Sequence, residues 1–149
     1  MKIKEIDSEK LDYEPNSIVV LPVETHDDSL PTLYTSDTLS FVKSLQSKVA
    51  IEYLKPPEAT FEQRSIEWFG PAIYISSKLL TENPDLINIF FDAFKEYIEG
   101  VLPRKEKSKI KLKVICKKTE KTRSTEIDYE GDIDGLRELK DAISKALGD

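Results

Sequence analysis

Ile110-Lys111-Leu112-Lys113-Val114-Ile115-Cys116-Lys117, followed by Ser124-Thr125-Glu126-Ile127-Asp128-Tyr129, is the part of the chain whose reading decides the fold. In the first segment Ile110, Leu112, Val114 and Cys116 alternate with Lys111, Lys113 and Lys117, and only Ile115 breaks the pattern. Successive strand side chains point to opposite faces, so a period of two sets the apolar row against a core and the lysines outward. In the second segment Thr125, Ile127 and Tyr129 alternate with Ser124, Glu126 and Asp128. The polar stretch Lys117–Thr122 joins the two as a β-hairpin.

Beyond the hairpin, Gly131-Asp132 opens a last helix with Ile133, Leu136, Leu139, Ile143, Ala146 and Leu147 on one face. Asp132 is placed to cap it, and Asp134 complements the dipole of its first turn. Upstream, Asn83-Pro84 starts a helix to about Glu99 that presents Leu86, Ile87, Phe90, Phe94, Tyr97 and Ile98 at helical spacing, with Gly100 as its terminator. Gly70-Pro71 gives a similar start signal, proline losing little at the first helical position, so Ala72–Leu80 reads as a buried helix. Further back, Ser36 or Asp37 caps a helix to about Ser47, and Val49–Leu54 reads as a strand ended by Pro56-Pro57. Ser17–Val23 is a β-branched run suited to a strand covered on both faces, and Lys2–Ile6 reads as a short edge strand. Glu24–Thr35 and the segment from Lys55 to Arg64 read as loops. The order is β-α-β, an apolar helix pair, a β-hairpin and a C-terminal helix. It predicts a single α+β domain over residues 1–149, a mixed β-sheet with helices mainly on one face.

A chain of 149 residues is long enough to bury roughly 68–70% of its unfolded surface, so a core forms without crosslinks or metals. One cysteine, Cys116, excludes an internal disulfide framework and points to reducing, cytoplasmic surroundings. The N-terminus lacks the apolar run of a secretory signal. The longest apolar pattern, Pro71–Ile98, is broken by Lys78, Glu82, Asp85, Asp92 and Lys95. A membrane span needs ~20 predominantly apolar residues, so none is expected here.

Charge is distributed very unevenly. Residues 104–123 hold ten Lys or Arg and two acids, a net +8, so in a chain of net charge −6 the remainder carries −14. A concentrated charge on one element creates a local field that the overall balance hides. Three readings stay open for the basic hairpin. It is a partner surface, or a solvated edge blunted by lysines, or a self-paired ribbon in which Glu126 and Asp128 answer the lysines of the neighbouring strand. Interleaved aromatics of the kind that stack single-stranded bases are missing from it.

The candidate partner surface comprises Lys111, Lys113, Lys117, Lys118, Lys121 and Arg123, together with Trp68 and Phe69 at the start of the Gly70-Pro71 segment. Trp68 and Phe69 are read either as a hydrophobic staple closing the core or as an exposed anchor. His26-Asp27-Asp28 is the one cluster with metal or acid–base character, but no further ligand stands at a recognisable spacing, and a polar turn accounts for it equally. Cys116 lies on the inward face of its strand as a small core residue. Gly131 and Gly135 lack the Lys-Ser/Thr ending of a phosphate-binding loop and read as turn and cap glycines. No catalytic residue, metal site or cofactor is expected.

Taken together, the apolar segments Ala72–Leu80 and Leu86–Ile98, the hairpin Lys109–Tyr129, the helix Asp132–Leu147 and the preceding Asp37–Leu54 unit resemble the effector-associated constant-component domains of bacterial conflict systems. The resemblance lies in element order over about three-quarters of the chain, and the Lys-rich hairpin and the Pro56-Pro57 loop depart from that pattern. It implies an adaptor that links proteins within a defence system, with no catalytic residues to transfer. A non-enzymatic module that binds a protein of acidic character is therefore the expected function. Nucleic-acid binding through residues 104–123, or a small metal-dependent enzyme using His26, Asp27 and Asp28, is the alternative.

Overall fold

The computed structural model describes residues 1–7, 15–24, 29–61, 68–101, 109–118 and 123–148. In chain order the elements are β1 (Lys2–Asp7), β2 (Ile18–Leu21), β3 (Leu33–Thr35), α1 (Ser36–Leu45), β4 (Ile51–Tyr53), β5 (Ala59–Phe61), β6 (Trp68–Ser76), α2 (Ser77–Glu82), α3 (Leu86–Val101), β7 (Ile110–Lys117), β8 (Arg123–Gly131) and α4 (Leu136–Gly148). Six strands form one mixed sheet in the order β1-β8-β7-β6-β2-β4, and β3 and β5 pair in parallel beside it. The parallel pairs of the main sheet are β6 with β7 and β2 with β4; its other pairs are antiparallel. The fold is α+β.

The hairpin forms in the register its alternation implies, with Val114 opposite Ile127 and Leu112 opposite Tyr129. Ile110, Leu112, Val114 and Cys116 enter one large core with Ile18, Val20, Ile73, Ile75 and Ile127 of neighbouring strands. Residues of all four helices pack into that same core, including Phe41, Leu79, Phe94 and Leu139. The helices therefore cover one face of the sheet. Each large apolar side chain so buried contributes roughly 1.5–3 kcal/mol, which makes this face the source of stability.

The Gly70-Pro71 segment corrects the sequence reading: it is not a helix start but the middle of β6. Ile73 and Ile75 face the helices, while Tyr74 joins Val19 and Ile115 in a small buried cluster on the opposite face. A strand covered on both sides is a continuous apolar run, which periodicity cannot separate from a buried helix. Pro71 is tolerated because the β6–β7 register shifts between Phe69 and Ala72, and a bulge has no ladder bond for proline to lose. The helix begins only at α2, where Ser76 Oγ accepts a hydrogen bond from the Leu79 amide at 3.4 Å.

Thr35, rather than Ser36 or Asp37, caps α1, its Oγ1 accepting from the Thr38 amide at 3.1 Å. The short strands β3 and β5 lie in segments read as loops. Gly100 falls inside α3 rather than after it. Asp132 caps the turn leading into α4, its Oδ1 accepting from the Gly135 amide at 2.9 Å.

Candidate interaction face

The face of the main sheet opposite the helices divides into two halves. Towards β2 and β6 it is apolar, with Val19, Tyr74 and Ile115 buried and Ile6 and Leu21 packed against them. Towards β1, β8 and β7 it is charged, because three strands present their outward residues side by side. The register sets Lys2 beside Asp128 and Asp128 beside Lys113; the next row sets Lys4 beside Glu126, and Glu130 stands opposite Lys111. Lysine, acid and lysine strands thus lie in parallel stripes.

Glu126 is the pivot of this arrangement. Its Oε2 lies 3.1 Å from Lys4 Nζ and its Oε1 3.6 Å from Lys113 Nζ, with 12% of the side chain exposed. Lys113 Nζ is also 4.0 Å from Asp128, and Lys109 Nζ is 3.7 Å from Glu130. The self-paired reading of the hairpin is therefore realised in part, with β1 supplying a second row of lysines. The Lys109–Glu130 and Lys113–Asp128 pairs are exposed on both sides and contribute about 0–1 kcal/mol each, so they orient charge more than they hold the fold. Lys2, Lys4, Lys109, Lys111, Lys113 and Lys117 stand on this face against Glu126, Asp128 and Glu130, which leaves a cationic excess among the described residues. A depression of about 390 Å³ opens between Met1, Lys2, Lys111, Lys113, Asp128 and Glu130.

The remaining candidate residues separate clearly. Lys118 is half-buried just past β7, Lys121 lies outside the described residues, and Arg123 begins β8 with its side chain outside them. Trp68, at 3% exposure, belongs to the core and is withdrawn from the partner surface. Its ring packs against Phe41, Phe94 and Tyr97, with centroids 5.3–5.9 Å away. Its Nε1 donates to Tyr97 Oη at 3.4 Å, and Tyr97 in turn donates to Ser40 Oγ at 3.1 Å. Phe69 pairs with Lys111 through the strand ladder, its side chain lying outside the described set. The sequence reading missed Lys2 and Lys4 as members of the charged face. Their alternation was visible, but not that β1 would lie against the acidic strand.

His26, Asp27 and Asp28 lie outside the described residues, as do residues 104–108 and the hairpin turn 119–122. Among the described residues no group of three or more His, Cys, Asp or Glu side chains is placed to hold a metal ion. Cys116 is buried, and desolvation pushes its thiol up to about 12, away from nucleophilic use near neutrality. Tyr129 is pushed up to about 12 by burial, then by the carboxylates of Asp132, Glu138 and Asp134. Its hydroxyl donates to the Asp132 carbonyl at 2.5 Å. That hydroxyl also occupies the space a side chain at Gly131 or Gly135 would need, which gives both glycines a packing reason beyond turn formation. No helix among the described residues is long and apolar enough to cross a membrane. Compared with protein-family models, curated proteins and solved structures, the chain matches none of them.

Proposed function

We propose that this chain is a cytoplasmic protein-interaction module, an adaptor of the kind found in bacterial defence systems, and that the charged face of β1, β8 and β7 receives an acidic partner. The observation carrying the reading is the division of labour between the two sheet faces. Among the described residues the four helices and the main core occupy one face, while the other arrays six lysines around three acids. Alternating charge of this kind contributes orientation and encounter rate more than affinity, which suits a surface that selects a partner. Protein is favoured over nucleic acid because the acids interleaved among the lysines repel a continuous phosphate backbone, whereas a protein surface can answer both signs.

The test is affinity capture from the native host, with the wild-type chain and with Lys111, Lys113 and Lys117 each changed to Glu. A specific protein retained by the wild type and lost by the variant is the expected result. Retention of the same protein by both, or salt-sensitive binding to DNA or RNA at about 50 mM salt without any protein partner, contradicts the reading.

A further inference from the structure

We propose that β1 is a strand-addition site, and that its occupant is an extended segment of a partner protein with acids at alternate positions and apolar residues between them. The inference rests on the interaction-module reading above and specifies how the partner docks.

The two edges of the main sheet are unlike. At the β4 edge the strand has three residues and is followed closely by Pro56-Pro57, features that blunt an edge against further pairing. At the β1 edge the strand has six residues. Lys2 to Glu5 are all exposed, and β8 is its one neighbour among the described residues. An edge strand presents a row of backbone donors and acceptors to whatever chain lies beside it, so main-chain bonds supply affinity and alternate side chains supply selection.

The side chains of β1 define what would fit. Lys2 and Lys4 lie on the charged face, in rows that run on to Asp128 and Lys113 and to Glu126. Ile3 lies on the helix side, 57% exposed, next to Ile127 of β8. Helix α4 packs on β7 and β8 and leaves this isoleucine open. A neighbouring strand with acids facing Lys2 and Lys4 and an apolar residue facing Ile3 would satisfy both faces at once.

A second copy of the chain does not fit. Two antiparallel β1 edges related by a twofold axis keep their faces aligned only if one residue lies opposite itself. Centring on Lys4 opposes Lys4 to Lys4, centring on Ile3 opposes Lys2 to Lys4 twice, and centring on Glu5 opposes Glu5 to Glu5. Like charges directly opposite are destabilising, so each such register is disfavoured and an acidic foreign strand is preferred.

The probe is the peptide acetyl-Gly-Glu-Val-Glu-Ile-Asp-Val-Asp-Gly-amide, titrated against the full chain by anisotropy and by amide hydrogen exchange. Expected are saturable binding and slowing of β1 amide exchange by about tenfold or more. Affinity should fall about tenfold or more in a Lys2→Glu, Lys4→Glu variant whose Trp68 emission is native. Peptides N-methylated at alternate amides, in each of the two phases, keep the test independent of that variant's folding: one phase should abolish binding and the other spare it. No binding by the unmethylated peptide, equal binding in both phases, or binding equalled by a shuffled peptide with contiguous acids or by a single-stranded oligonucleotide overturns the inference. So does binding that leaves β1 exchange unchanged while shifting Lys111 and Lys113. That last result places the partner on the face rather than the edge and leaves the interaction-module reading standing. Failure of that reading is instead a host partner indifferent to reversal of the β7 lysines.

Discussion

Glu126 receives an ammonium on each carboxylate oxygen, Lys4 on one and Lys113 on the other, while its side chain is mostly enclosed. Changing Glu126→Gln leaves two lysines facing a neutral amide, and a loss of about 1 kcal/mol is expected in urea unfolding followed by Trp68 fluorescence. The loss should shrink as salt is raised, whereas a salt-independent loss of several kcal/mol would show that packing dominates there. The outward placement of Glu126 follows from simple alternation in its strand. Its pairing with Lys4 was hidden, because β1 and β8 lie at opposite ends of the chain and register between distant strands leaves no local signature. Cys116 is the contrary case, since alternation alone placed it inward and it is buried. Its thiol has an ordinary value of 9.0 that burial pushes up to about 12. The folded state therefore holds the proton more tightly than the unfolded chain. The stability linked to this proton is complete below pH 9 and is lost as pH rises towards about 12. A Cys116→Val variant should lose stability less steeply than the wild type across that window. A thiol–disulfide exchange reagent should modify the wild type only on unfolding, and rapid modification of the native protein would refute the burial.

Strand β6 is where local signals and tertiary structure disagree. Gly70-Pro71 carries the residues of a helix start, yet it belongs to a strand that runs between β2 and β7, with Ile73 and Ile75 buried on one face and Tyr74 on the other. The helical cue is weak and local, while two flanking strands and two apolar faces act together to select the extended form. Gly70 has its own packing reason. A Cβ there would collide with the Trp68 ring and approach Leu112 Cδ1 to 3.0 Å. Three substitutions test the packing of this strand. Pro71→Ala should change stability by less than about 1 kcal/mol because the position lies at the register shift. Ile75→Ala should cost about 2–5 kcal/mol by opening the core. Gly70→Ala should cost about 1–3 kcal/mol and shift Trp68 emission by displacing the ring. Unchanged stability and unchanged emission in Gly70→Ala would contradict this packing. The hairpin and helices α1, α3 and α4 were readable because each carries a sustained period and a local start or turn signal. Strands β3 and β5 were not, being three residues each and held by contacts distant in sequence: their mutual pairing, the Val23 amide on the Leu33 carbonyl and the Tyr34 hydroxyl on the Lys55 carbonyl.

At the scale of the molecule, charge is sorted by face as well as by sequence. The basic segment that stands out in the chain is partly answered by its own neighbour strand, and the lysines of β1 enlarge the same field. The α+β class and the one-sided helix layer were evident from element order. The strand order β1-β8-β7-β6-β2-β4 was not, because it depends on which chain-distant edges meet. That order turns a basic hairpin into a three-strand charged face bounded by β1, which has one neighbour among the described residues, and the proposed function places selective recognition on this face. The most direct measurement is the affinity of the captured host partner for two variants of equal charge change on opposite sides of the molecule. One carries Lys111→Glu and Lys117→Glu on the sheet face, the other Lys140→Glu and Lys145→Glu on α4. A loss of about tenfold or more confined to the sheet-face variant, diminishing with salt, is the predicted result. Equal losses in both variants, or a loss confined to the α4 variant, would contradict it.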